Sequence, residues 1–350
     1  MLILRLAFKN LLGAGLKTWL NGFVLSISFL AIITTQALLK GMYQQTTNAM
    51  ISAEIGGGQY WHPEYDPYDP LTLQDSHGKI PENLTERVSA GHASPILIIQ
   101  GTIYPNGRIR PVVFKGIGPY QDIVNIPTEI LNDTSDYIPV LIGRRMARAI
   151  GLNTGDYLTL QWRDANGMFD AQDAIISQVM KTSVQSIDVN QIWMPLHTLQ
   201  DMAGMQGEAT IVICEEGHGG DEIAEGWRYK NREFLLKDVK EMIESKSFGS
   251  VFIYMLLLFL SMLAIFDTQI FSIFRRKKEI GTLMSLGLTR GSIVRLFTLE
   301  GSLQAALGGI IELFMAFPSY RYLLKRVGHY WRLRIVMDSR WVRSFTLFSQ

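Results

Sequence analysis

The sequence predicts an α-helical membrane protein of three spans, with a mixed α+β domain inserted between the first and second. Three observations predict it. Three stretches hold the roughly 20 mostly apolar residues that a helix needs to cross a bilayer core of about 30 Å. A segment of 207 residues, 41–247, separates the first from the second and is long enough for its own core. Lysines and arginines cluster at particular ends of the apolar stretches, as topology requires.

In chain order, residues 1–18 interleave apolar side chains with Arg5, Lys9 and Lys17, the pattern of an amphipathic helix on the inner membrane surface. Residues 19–39, WLNGFVLSISFLAIITTQALL, carry no charge and form the first span. Their apolar core is longer than that of a signal peptide, and no small-residue cleavage site follows, so they read as an uncleaved anchor. Residues 248–274 form the second span, interrupted only by Asp267. The third, 294–317, is weaker because it holds Arg295, Glu300 and Glu312. Between the last two lies a loop, 275–293, that opens with Arg275-Arg276-Lys277-Lys278. These charges place the N-terminus and this loop in the cytoplasm and segment 41–247 outside.

Composition excludes several classes. The chain has 350 residues, 47% of them hydrophobic, which excludes a disordered protein. One cysteine, Cys214, excludes an internal disulfide and a cysteine-based zinc cluster. The net charge of +1 gives no footprint for nucleic acid, and none is expected as a partner. That total is a sum of opposites: segment 41–247 carries 16 basic against 27 acidic residues, the remainder 17 against 5.

Within 41–247 two hairpins are expected. SPILIIQGTIY and RIRPVVFKGI flank Pro105-Asn106-Gly107, and a second pair turns at Asn166-Gly167, because Asn-Gly accepts the positive φ angles of a tight turn. IGRRMARAIGL and WMPLHTLQDMAGM read as helices ending near Gly151 and Gly204. TIVIC reads as a buried strand with Cys214 as a small core residue. A helix is expected from about Glu222 to Lys246, running into the second span as a stalk. Gly56-Gly57-Gly58 and YWHPEYDPYDP read as loop, where Trp61, Tyr65 and Tyr68 offer anchors for a partner. Catalytic patterns are missing: His62, His77, His92, His197 and His218 form no H-E-x-x-H or other close ligand pair, and there is no G-x-S-x-G. No catalytic residue, metal ligand or bound cofactor is assigned.

The informative stretch is AIFDTQIFSIFRRKKEIGTLMSLGLTRGSIVRLFTLEGSLQAALGG, 264–309. Glu279-Ile280-Gly281 begins a short amphipathic piece that Gly287 terminates, and Thr289 is placed to cap the following helix. A short cytoplasmic helix between two spans is a surface that a soluble partner can push. Asp267 sits either near the cytoplasmic interface or in a subunit contact, and Glu300 pairs with Arg295 or with a neighbouring helix. Gly301, Ala305 and Gly308-Gly309 form a small-residue stripe that favours close helix packing and dimerisation.

Arg275, Glu279, Ile280, Gly281, Leu286, Gly287 and Ile293, followed by Glu300-Gly301 and Gly308-Gly309, resemble the FtsX/MacB-like permease family of ABC transporters. IGRRMARAIGLNTGD with YLTLQW, and QIWMPLHTLQDM, resemble that family's periplasmic domain. The resemblance implies an inner-membrane permease subunit working as a homo- or heterodimer. Its partners would be a separate ABC ATPase that holds ATP and Mg, membrane lipids, and an extracytoplasmic lipoprotein or export partner. It implies an ATPase-coupling element of Arg275, Arg276, Lys277, Lys278, Glu279, Gly281 and Gly287, and coupling or packing roles for Asp267, Glu300, Gly301, Ala305 and Gly308. It also implies lipoprotein release or amphiphile export by transmitted motion. The chain has no G-x-x-x-x-G-K-[ST] phosphate loop, so it is not expected to be an enzyme. The alternative is a membrane receptor with an external sensor domain.

The family expects a fourth span. Residues 318–350 offer none, and carry Arg321, Lys325, Arg326, Arg332, Arg334, Arg340 and Arg343 against Asp338 alone. The residue pattern of the family fades near Ile311. Two readings follow: a truncated or frame-altered product, or a basic tail lying on a membrane face.

Overall fold

The computed structural model describes residues 16–132, 137–182, 184–220 and 226–316. These form two compact units. One holds Gly41–Ile243, and the other takes the described residues up to Lys40 and from Glu244 onward. The amphipathic N-terminal helix expected before residue 16 and the basic tail after 316 lie outside the described residues.

Unit 41–243 is built on eleven strands: β1 Gly58–Trp61, β2 Gly78–Lys79, β3 Ala93–Ile103, β4 Arg110–Ile117, β5 Ile138–Gly143, β6 Tyr157–Arg163, β7 Phe169–Met180, β8 Gln191–Pro195, β9 Glu208–Ala209, β10 Ile211–Cys214 and β11 Arg228–Lys230. Nine form one sheet in the order β11-β1-β10-β3-β4-β8-β5-β7-β6, and β6 pairs again with β3. The strands from β3 to β6 therefore close on themselves, and β10, β1 and β11 continue from the other half of β3. Its eleven residues make this possible: Ala93–Ile96 pair with β10, while Gly101–Ile103 pair with β6. At Gly101 an added Cβ would lie 2.0 Å from the Phe114 ring, so only glycine fits the crossing. Alternate residues of β3 feed separate cores, as strand geometry dictates. Leu97 and Ile99 join Phe114, Met146 and Leu199, whereas Ile96 and Ile98 join Trp193, Ile213 and Leu131.

Both hairpins form. β3 and β4 pair antiparallel through Ile103 and Arg110, with Asn106 and Gly107 at φ 51° and 75°. β6 and β7 pair through Arg163 and Phe169, with Gly167 at φ 83° in the turn. Helices Arg144–Ile150 and Leu196–Ala203 stop at Gly151 and Gly204. The second is shorter than the sequence predicts, because Trp193–Pro195 belong to β8, buried at every position.

Three other expectations are corrected. Gly58–Trp61 is β1 rather than loop, hydrogen-bonded between β10 and β11, and Tyr60 is buried. Trp61 packs edge-on against Tyr65 and Phe234, which leaves Trp61 and Tyr65 half-buried. Tyr68 alone of the three proposed anchors is exposed, and its hydroxyl donates to the Asp238 carboxylate. The helix expected from Glu222 begins later: Arg228–Lys230 is a strand, a turn of helix spans Arg232–Leu235, and the long helix is Lys237–Arg275. Tyr229 opposite Tyr60 extends the sheet, which overrides the helical spacing.

A buried charge network sits in this unit. The helix Leu16–Met50 passes into a π turn, Ile51–Ile55, which carries Glu54. Glu54 lies 2.7 Å from the Lys115 ammonium and accepts from Gln191 and Ser186. Lys115 also lies over the ring of Trp193, its register partner on β8. Burial pushes the Glu54 carboxyl up, but Lys115 and the amide and hydroxyl donors outweigh it and hold the group below the ordinary carboxylate range.

Three helices have the length and composition to cross a membrane: Gly22–Ile55 and Lys237–Arg275, which each run partly into unit 41–243, and Arg290–Ala316. The first and second of these extend beyond the apolar runs 19–39 and 248–274, because helix continues through the more polar residues 40–55 and 237–247.

Candidate coupling site on the membrane helices

The loop 275–293 is mostly helix. The long helix ends at Arg275, Arg276 leaves helical geometry with ψ 15°, and a new helix runs Lys277–Ser285. Gly287 takes φ 98° and closes it. The next helix begins at Arg290, and the Thr289 hydroxyl accepts from the Ser292 amide at 3.3 Å, the capping role expected of it.

Arg276 separates itself from its basic neighbours. Its guanidinium lies 3.4 Å from Glu279 and 3.2 Å from Glu300. Glu300 is 4% exposed and stands one helix away, in Arg290–Ala316. One side chain thus ties the end of the second apolar helix, the short helix and the third apolar helix. Glu300 takes its partner from the helix junction, and Arg295 is exposed. A buried carboxylate in an apolar setting is costly unless paired, so loss of Arg276 would leave an uncompensated buried charge. Arg275, Lys277, Lys278 and Glu279 point outward, and Gly281 has open space where a Cβ would be.

The packing residues divide. A Cβ on Gly308 would lie 2.9 Å from the Leu25 Cβ and 3.3 Å from the Gly22 carbonyl oxygen. The glycine therefore lets the first and third apolar helices approach within this chain. Gly301 faces Ile265 of the second helix at 3.7 Å. Ala305 is half-buried, Gly309 faces open space and Asp267 is exposed on its helix. The buried Ser261 hydroxyl donates to Ser28 at 3.0 Å and joins the second helix to the first. Neither serine was singled out by the sequence, since isolated serines in apolar runs carry no spacing signal.

A bundle knitted by glycine contacts, a serine pair and one buried ion pair is that of a helical membrane protein. Residues 251–348 of it match the family model described as FtsX-like permease C-terminal. The matched stretch includes Arg276, Glu279 and Glu300 but not the first apolar helix, and it runs through the basic tail beyond the point near Ile311 where the residue pattern fades. No curated protein matches the chain. Among solved structures, the periplasmic region of MacB from Actinobacillus actinomycetemcomitans is similar at 11% identity and a TM-score of 0.35, over 53% of this chain and 94% of that one. The extracellular domain of the noncanonic ABC-type transporter YknZ from Gram-positive bacteria is similar at 14% identity and a TM-score of 0.29, over the same shares. Both scores lie below 0.5, so neither likeness adds to what the strand order already says of the domain.

Proposed function

We propose that this chain is the permease subunit of an ABC transporter complex in the cell's inner membrane, driven by a separate cytoplasmic ATPase. The single observation that carries the reading is the Arg276 tie within the stretch that matches the FtsX-like permease family. In this reading the chain crosses the membrane three times with its N-terminus in the cytoplasm. The ATPase rests on Lys277–Ser285, where Lys277, Lys278 and Glu279 present charge. Closure of the ATPase pair shifts this helix. Arg276 passes the shift to Glu300 and to the end of Lys237–Arg275, and the long helix carries it toward unit 41–243 outside. Two copies, or one copy and a second permease, work together, with the Asp267 face toward the partner copy. The stroke releases a lipoprotein or expels an amphiphile, and ATP and Mg stay with the ATPase.

The test is reconstitution in nanodiscs with a candidate ABC ATPase subunit. The wild-type chain is expected to co-purify with that ATPase and to stimulate its hydrolysis. Lys277→Glu with Lys278→Glu should abolish co-purification, because two reversed charges repel an acidic docking surface. Arg276→Gln should leave co-purification intact and remove stimulation. Unchanged stimulation in Arg276→Gln would overturn the coupling role.

A further inference from the structure

The domain holds a group of side chains that sequence spacing does not disclose. His92 directly precedes β3 and Glu215 directly follows β10, and these strands pair antiparallel through Ala93 and Cys214. The two residues therefore meet at one end of the sheet, and the Glu215 amide donates to the His92 carbonyl at 2.9 Å. Three residues on, the His218 amide donates to the Glu215 carbonyl at 3.1 Å and turns its ring back over the same place. The imidazoles of His92 and His218 stack with centroids 3.8 Å apart, at 7° to one another. Both Nδ1 atoms face one oxygen of Glu215, at 2.7 and 3.5 Å. The Arg87 guanidinium donates to the His218 carbonyl at 2.6 Å and holds the turn in place.

From this geometry we infer a binding site for one divalent transition cation of the zinc class, held by His92, Glu215 and His218. One ligand atom from each residue lies within 4.8 Å of the others. A tetrahedral ion with bonds of about 2.0 Å holds its ligand atoms about 3.3 Å apart, so binding requires the two imidazoles to turn out of their stack until both ring planes meet at the ion. Two imidazoles with one carboxylate suit zinc, nickel or copper, and disfavour calcium and magnesium, which want oxygen. The ligands come from two backbone segments already fixed by hydrogen bonds, which lowers the ordering cost of binding. All three are at least partly exposed, so the ion has access and keeps a position for water. Bound there, it clips the 215–218 turn to the start of β3. Arg87 contributes positive charge nearby and sets the affinity below that of an all-thiolate structural site.

The test uses the full chain, in detergent and without a polyhistidine tag, stripped with a chelator and titrated with zinc chloride against a chromophoric competitor. One equivalent should bind per chain. His92→Ala and His218→Ala should each weaken it by about 100-fold or more, beyond the upper end of what changes around a metal's ligands cost. Glu215→Gln serves where an alanine variant fails to fold. The combined change of His62, His77 and His197 to alanine should leave the stoichiometry at one. This control matters because His77 and Glu208 form their own contact at 2.5 Å. Cobalt in place of zinc should give the visible absorption of a tetrahedral site, lost in His218→Ala. Absence of binding to the wild-type chain, or equal binding by His92→Ala and His218→Ala, would overturn the assignment.

Discussion

Among the described residues, Glu54–Lys115 in unit 41–243 and Arg276–Glu300 in the other unit are ion pairs with a buried member, and they differ in their surroundings. In unit 41–243, Glu54 and Lys115 are enclosed. The carboxylate is satisfied by Lys115, Gln191 and Ser186, and the ammonium lies over Trp193. Every contact comes from sheet strands or segments packed on them, so nothing in the network can move without breaking the core. In the membrane unit Glu300 is buried, but Arg276 is shared with the exposed Glu279 and sits at a break between two helices. One end of that pair is open to a partner. A closed network fixes a fold; a pair at a helix break is the one to which the proposed coupling role is assigned.

Breaking the closed pair gives the largest expected effect. Lys115→Met should destabilise unit 41–243 by about 3–5 kcal/mol, because it leaves a buried carboxylate without its cation. Chemical denaturation monitored by tryptophan fluorescence measures this. The same pair sets an acid limit. The Glu54 carboxyl titrates lower in the folded state than in the unfolded one, so its contribution is present above the unfolded value. That contribution is lost as pH falls below about 4 and on through the folded value. Lys115→Met should remove that part of the acid dependence.

Next in size, Gly308→Val should cost about 1–3 kcal/mol by forcing apart the first and third apolar helices. The midpoint of thermal aggregation in detergent is the measurement, and an unchanged midpoint would show that Leu25 yields freely. The open pair comes third. Glu300→Gln should lower ATP-driven activity about tenfold, near 1.4 kcal/mol, while the unfolding of unit 41–243 stays as in the wild type. If Glu300→Gln instead unfolds the chain and leaves activity per folded molecule unchanged, the two pairs do the same job. The smallest effect belongs to Ser261→Ala, about 0.6 kcal/mol for one hydroxyl bond between apolar helices.

Local rules made much of this legible. The Asn106-Gly107 and Asn166-Gly167 turns, the helix stops at Gly151 and Gly204, and the break at Gly287 follow from backbone preferences acting over a few residues. The failures share one cause. Trp193–Pro195 lie in a strand and Gly58–Trp61 are no loop, because their hydrogen-bond partners are distant in sequence. The candidate coupling stretch was legible as a run, Arg275 to Gly287. The division of labour inside it was not, since all four cations look alike until Glu300 takes one of them.

The sequence by itself determined where apolar helices and charge clusters lie, since hydrophobic length and basic flanks act through the solvent and not through a partner. It also determined the turns. Only the tertiary structure decided which charges are paired, which glycines are crowded and which histidines meet. Those are distances between residues 24 to more than 100 positions apart: Arg276 and Glu300, Lys115 and Glu54, His92 and Glu215. Chain spacing carries no information about such separations until strand pairing and helix packing close the loops between them.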